Sequence, residues 1–251
     1  MLERLPHGAI LELQLARPPV NALDPCLVAA LSDAVRDAPG QGMRAIVLSG
    51  SPGMFSAGLD VPVLLTLERP ALAEFWRAFF SLLSRMARCP IPIVAAITGH
   101  SPAGGAVLGI FCDYRIMAEG PYKIGLNEVQ VGLSVPPAIQ FALRRLVGPH
   151  RAERLMVAGA MIDSAAALRV GMVDELAPVA SVVPHAIAWC ERHLALPPLA
   201  FAETRRAARA DLHEGIGAPG SHNVDEFVEA WYGTETQTVL RALVERLKRP
   251  K

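Results

Sequence analysis

No stretch of this sequence approaches 18 uninterrupted apolar residues, so a membrane-spanning helix is not expected. The N-terminal residues MLERLPHGAILEL lack the charged segment, long apolar run and small-residue cleavage site of an export signal, which makes the cytoplasm the expected compartment. An excess of one charge is missing too. Lys plus Arg number 24 and Asp plus Glu number 24, leaving no surplus positive charge to release counterions from a nucleic acid or to coat an anionic membrane. Cys26, Cys89, Cys112 and Cys190 are scattered without a C-x-x-C pair, which argues against a disulfide framework or a zinc site and for buried, reduced thiols. No metal site is expected. There is no internal repeat, low-complexity tract or long polar linker, so independently moving domains are not expected either.

What is present is apolar mass. Over 251 residues, 52% are hydrophobic and 19% charged, ample for a sizeable core and unlike a disordered chain. Apolar residues alternate in Ala9, Leu11, Leu13 and Leu15, while Ala45 to Leu48 and Ile91 to Ile97 are short apolar runs suited to buried strands. Between them, Asp24 to Ala38 follows a helical period behind an Asp cap, and Ala71 to Ala87 places Leu72, Phe75, Phe79, Leu82, Leu83 and Met86 at helical spacing. Further strand patterns lie at Tyr114 to Ala118 and Lys123 to Gly125, and from about Pro136 the pattern is mainly helical. Alternation followed by helices predicts an α/β core with a helical extension.

Three segments can carry chemistry. Gly53-Met54-Phe55-Ser56-Ala57-Gly58-Leu59-Asp60 follows a predicted strand, and its small side chains would let a ligand approach backbone N–H groups, although the same residues suit an ordinary tight turn. Ile97 to Ala106 lies between an apolar strand and a predicted helix, Gly105 to Phe111, with Pro102 fitting that helix's first turn. A helix N-terminus there offers free N–H donors to a developing anion; a glycine-mediated contact between strand and helix is the plainer alternative. The spacing is not G-x-G-x-x-G, so a dinucleotide fingerprint is unsupported. Gly99-His100-Ser101-Pro102-Ala103 approximates a hydrolase nucleophile elbow, but the oxyanion donor after Ser101 would be Pro102, which has no N–H. In Lys123 to Gly132 one carboxylate, Glu128, is framed by apolar and small residues that would desolvate it and raise its pKa toward a useful acid/base range; a solvated surface Glu is the bland reading.

Together, Phe55-Ser56-Ala57-Gly58-Leu59-Asp60, Ser101-Pro102-Ala103-Gly104-Gly105, Cys112-Asp113-Tyr114-Arg115-Ile116 and Ile124-Gly125-Leu126-Asn127-Glu128 resemble the crotonase, or enoyl-CoA hydratase/isomerase, superfamily. Within it they are most similar to the mitochondrial-type 3,2-trans-enoyl-CoA isomerases. The resemblance runs from Arg17-Pro18-Pro19-Val20-Asn21-Ala22-Leu23 through the C-terminal helices. It implies an α/β fold, a crotonase-like spiral of repeated ββα units over residues 1–195, followed by a C-terminal helical trimerisation region over 196–251. It also implies an acyl-CoA thioester as partner, with coenzyme A part of the substrate and no separate cofactor, and a homotrimer or dimer of trimers.

Carried over by position, Glu128 is the acid/base, and the N–H groups of Ala57 and Gly104 form an oxyanion hole. Val20, Ala22, Leu23, Ala57, Gly58, Leu59, Asp60, Val61, Gly104 and Gly105 are the implied substrate-binding residues. Hydratases of the family use two glutamates, and the first of those positions here is Val107, which favours isomerisation of a 3-enoyl-CoA to a 2-trans-enoyl-CoA without water. Hydration, thioester hydrolysis or non-catalytic acyl-CoA binding are the alternatives. Asn127 could orient Glu128 or a thioester group, or bond the local backbone; His100 suits shaping the pocket or a packing or surface role, and Asp60 and Asp113 suit caps or loop hydrogen-bond acceptors. The basic end Arg246 to Lys251 suits either CoA phosphates or a solvated helix end. Chain-length preference depends on how Leu64 to Phe80 folds over the acyl chain.

Overall fold

Strand β1 (Leu2–His7) runs antiparallel to β2 (Ile10–Leu15), turning at Gly8, whose φ of +62° only glycine adopts without strain. The structure, a computed structural model, describes residues 1–218, 220 and 222–248; Arg249, Pro250 and Lys251 of the basic end lie outside the described residues. The alternation seen in β2 does not leave one face wet. Glu12 is buried there, accepting from Ser49 Oγ at 2.6 Å and bonding His7 Nε2 at 2.9 Å, which keeps its charge satisfied.

Helix α1 (Pro25–Asp37) starts where the cap signal puts it: the Asp24 carboxylate accepts from Leu27 N at 2.7 Å, and Leu27, Val28, Leu31, Ala34 and Val35 form its buried stripe. Strand β3 (Ala45–Ser49) then opens the first turn of a spiral. Each turn sends one strand to a large sheet and the next to a small one. β3 pairs in parallel with β5 (Ile93–Ile97), and β5 with β7 (Tyr114–Ala118); β4 (Gly53–Met54), β6 (Gly99–Pro102) and β8 (Lys123–Gly125) pair in the second sheet. This is the expected spiral of repeated strand-strand-helix turns. Fully buried β3 and β5 read as unbroken apolar runs because sheet neighbours and helices cover both faces.

Three helices complete the turns: α2 (Val61–Leu64), capped by Asp60, leads into α3 (Arg69–Arg88), and α4 (Gly104–Ile110) follows β6. Pro102 closes β6 and does not open α4; Ala103, at φ 45°, is the cap residue between them. The mainly helical region begins as expected with α5 (Pro137–Val147) and α6 (Pro149–Val157). It also contains β9 (Ile162–Asp163), α7 (Ser164–Val170) and β10 (Glu175–Ala177), whose strands are too short to show a period. Helices α8 (Val182–Leu194), α9 (Pro198–Ala208), α10 (Ala210–Gly217), α11 (Val224–Tyr232) and α12 (Thr234–Lys248) finish the chain.

The last helices share the core with the spiral. Leu212, Ile216, Phe227, Trp231 and Leu240 belong to the same buried cluster as α3 and α4. The α9 and α10 junction is tied down by charge: Arg205 pairs with Asp113 at 2.7 Å and Arg209 pairs with it at 3.1 Å, which gives Asp113 a structural task. Cys89, Cys112 and Cys190 are buried free thiols as expected, but Cys26 is exposed, because it lies on the solvent side of α1's first turn. Among the described residues no helix is long and apolar enough to cross a membrane.

Candidate active site

Glu128 begins a short 3₁₀ turn, Glu128–Val131, immediately after β8. Its neighbour Ile124 is buried in β8, so the strand holds the turn against a cavity of about 540 Å³ that both Asn127 and Glu128 line. Glu128 Oε2 and Asn127 Oδ1 are buried and have no hydrogen-bond partner among the described residues. Burial pushes the Glu128 carboxyl up from 4.5 to about 7, opposed only by a backbone hydrogen bond from its own N–H. A carboxyl poised there can take a proton and return it near neutral pH.

A pair of backbone segments lines the same cavity. Ala57, expected to donate to an oxyanion, already donates its N–H to the Val20 carbonyl at 2.9 Å, and this expectation needs correcting. Parallel pairing explains the shift. Leu23 N donates to Gly58 O and Asp60 N donates to Leu23 O, so the intervening Leu59 N–H is left with no acceptor among the described residues. Gly104 opens α4, where no carbonyl four residues back can serve its N–H. A methyl on Gly104 would lie 3.3 Å from Leu59 N, and one on Gly58 only 3.0 Å from Gly104 N, so these donors are close neighbours. The pair best placed to cradle an anion is Leu59 with Gly104.

Arg17 holds the first of these segments. Its guanidinium pairs with Asp24 at 3.0 Å and Asp60 at 2.7 Å, and donates to Ala22 O at 3.2 Å. Asn21, at φ 52°, donates to Phe55 O at 3.1 Å, while Ser56 Oγ donates to Asn21 O at 2.8 Å. Arg17 to Leu23 and Phe55 to Asp60 thereby fold as one unit.

The profile of the enoyl-CoA hydratase/isomerase family matches residues 6–250. The chain belongs to the enoyl-CoA hydratase/isomerase family. It is similar to human mitochondrial enoyl-CoA delta isomerase 1, 33% identical over 95% of this chain and 80% of that protein. It is also similar to a probable enoyl-CoA hydratase of Mycobacterium tuberculosis, 34% identical over 80% of this chain and 77% of that protein. The crystal structure of human mitochondrial delta3-delta2-enoyl-CoA isomerase superimposes with a TM-score of 0.92 at 31% identity, covering 98% of each chain.

Within this family member, the residues expected from sequence converge in part. Val20, Ala22, Ala57, Leu59, Asp60 and Val61 line the cavity, with Gly104 and Glu128. Leu23, Gly58 and Gly105 do not. Leu23 is fully buried behind the wall, and a methyl on Gly105 would come within 2.5 Å of Ser56 O, so these residues permit the close packing that builds the site. Asp60 caps α2 by accepting from Val63 N at 3.0 Å. Val107 lines the cavity where the resemblance puts a hydratase's other glutamate. Ser101 is buried in β6 and His100 bonds Lys123 N at 3.1 Å, and neither reaches the cavity.

Trp76 and Phe79 of α3 line the cavity too, within the Leu64 to Phe80 region on which chain-length preference was expected to depend, and so does Leu247 of the basic end; Phe227 and Trp231 from α11 and Leu240 and Leu243 from α12 were not singled out from the sequence. Their helical spacing marks a buried stripe, and the same pattern serves a solid core or a cavity wall. Helices α11 and α12, in the region expected to assemble trimers, thus wall the site of their own chain.

The raised Glu128 pKa has a stability consequence. Ionising this carboxyl costs more in the folded than in the unfolded state, so its penalty is absent below about pH 4.5 and complete above about pH 7. Glu128→Gln is therefore expected to gain stability over the unmodified protein by about 1 to 3 kcal/mol on going from about pH 5 to about pH 8, measured by urea unfolding at both. An equal difference at the two pH values would show that the carboxyl is not desolvated.

Proposed function

We propose that this protein is an enoyl-CoA isomerase that moves the double bond of a 3-enoyl-CoA into conjugation at C2, in fatty-acid or related acyl-CoA metabolism. The observation that carries this reading is a desolvated carboxylate, Glu128, whose Oε2 has no partner among the described residues, sharing a cavity with Val107 and with the free N–H groups of Leu59 and Gly104. The thioester oxygen sits between those two donors. Glu128 removes a proton from C2, the C2–H electron pair spreads into a dienolate, and negative charge collects on the oxygen that the donors face. Glu128 then delivers the same proton to C4, leaving a C2–C3 double bond. No water, metal or redox group enters this balance.

A hydratase reading draws support from the relatives that carry that name. Hydration needs a further acid or base to handle water, and Val107 offers none. The test is to compare formation of conjugated 2-enoyl-CoA from a 3-enoyl-CoA with loss of crotonyl-CoA absorbance by hydration. Isomerisation is expected to dominate by at least about 100-fold, and Val107→Glu to raise hydration by about tenfold or more at some loss of stability. Hydration by the unmodified protein at a rate matching isomerisation would overturn the proposal. A homotrimer or dimer of trimers, and a cytoplasmic setting, belong to the same proposal; the strongly exposed Leu199 and Val157 support an assembly surface.

A further inference from the structure

Packed aromatic rings form part of the cavity wall. Trp76 lies with its ring centroid 5.7 Å from Phe75, 6.2 Å from Phe79, 5.9 Å from Phe80, 5.3 Å from Phe227 and 6.4 Å from Trp231. Trp76, Phe79, Phe227 and Trp231 face the cavity, yet are only 4%, 2%, 7% and 1% exposed. Pro18, Pro19, Pro62, Ser134 and Leu247 line the same cavity and are all exposed. Exposed lining residues mark where the cavity opens, and the buried, packed aromatics mark where it is closed. Trp76 cannot swing aside to lengthen it, because its five aromatic neighbours come from its own helix and from α11, and interiors packed this way resist local displacement.

We propose that Trp76, braced by Phe227 and Trp231, is the stop that sets the longest acyl chain this protein accepts, making its substrates acyl thioesters with a defined chain-length ceiling. The proposal rests on the reading that the cavity holds an acyl-CoA. Below the ceiling each added methylene is buried against apolar walls, worth about fourfold in affinity. Beyond it the next methylene must displace a packed ring, and affinity drops by about tenfold or more. Shortening the stop moves the ceiling outward.

The experiment is calorimetric titration of the full chain with saturated acyl-CoAs from butyryl-CoA to myristoyl-CoA, which bind without turning over. It is run on the unmodified protein, on Trp76→Leu and on Phe227→Leu, with long-chain affinity expressed relative to short-chain affinity within each protein. The expected result is a rise and then a fall in affinity for the unmodified protein, with the fall shifted by about two carbons or more in either folded variant. Affinity that climbs steadily to the longest chain, or a ceiling that neither variant moves, overturns the proposal. Should one variant fail to fold, the other and the unmodified series decide it. A ceiling that shifts while no 3-enoyl-CoA is turned over would sink the isomerase reading and leave the stop standing. Turnover without a ceiling would do the reverse, and absence of any acyl-CoA binding would overturn both.

Discussion

Glu128→Gln is expected to lower kcat for conversion of a 3-enoyl-CoA to its conjugated isomer by about 10²- to 10⁴-fold, while leaving the Kd for a saturated acyl-CoA within about threefold. The amide keeps the shape of the side chain and cannot accept the C2 proton. No substitute stands nearby: the other cavity carboxylate, Asp60, is engaged by Arg17 at 2.7 Å and by Val63 N at 3.0 Å. In the unmodified protein kcat/KM should rise with pH and level off above about 7, because only ionised Glu128 accepts the proton. The variant should lose that inflection. Stopped-flow absorbance of the conjugated thioester reads both effects, and a variant with unimpaired turnover would remove Glu128 from the chemistry.

Gly58→Ala is expected to cost about 10² to 10³ in kcat/KM, the typical loss of an oxyanion donor. Gly58 has φ +85°, and a Cβ there would lie 3.0 Å from Gly104 N and 3.1 Å from Pro102 O. The methyl would push apart the Leu59 and Gly104 donors. Backbone strain alone costs about 1 to 2 kcal/mol, so the control must carry strain without crowding. Gly42→Ala does so: φ is +82° and nothing lies within 4 Å of the added methyl. Similar losses of melting temperature with an activity loss confined to Gly58→Ala would locate the effect at the oxyanion donors. Equal activities in both variants would show that Gly58 does not shape the site.

Much of the fold was legible from local signals. Asp24 caps α1, the apolar run Ala45 to Leu48 lies in buried β3, the run Ile91 to Ile97 contains buried β5 from Ile93 onward, and Tyr114 to Ala118 became β7. Such elements are governed by side-chain periodicity and caps, which lie close together along the chain. The strands β9 and β10 were not legible, since two or three residues cannot show alternation.

At the site, the sequence by itself determined the residue types: an isolated carboxylate in apolar company, small residues at two turns, and valine where a second acid would be needed. Tertiary structure decided which N–H groups remain free. Ala57 and Leu59 are equivalent in any motif, but parallel pairing with Leu23 and a bond to Val20 consume one and spare the other, and that pairing partner lies more than thirty residues away. It also decided that Trp76 and Phe79 face a cavity. Helical spacing places them on the buried stripe of α3, and only the later arrival of α11, with Phe227 and Trp231, determines whether that stripe meets solid core or encloses space.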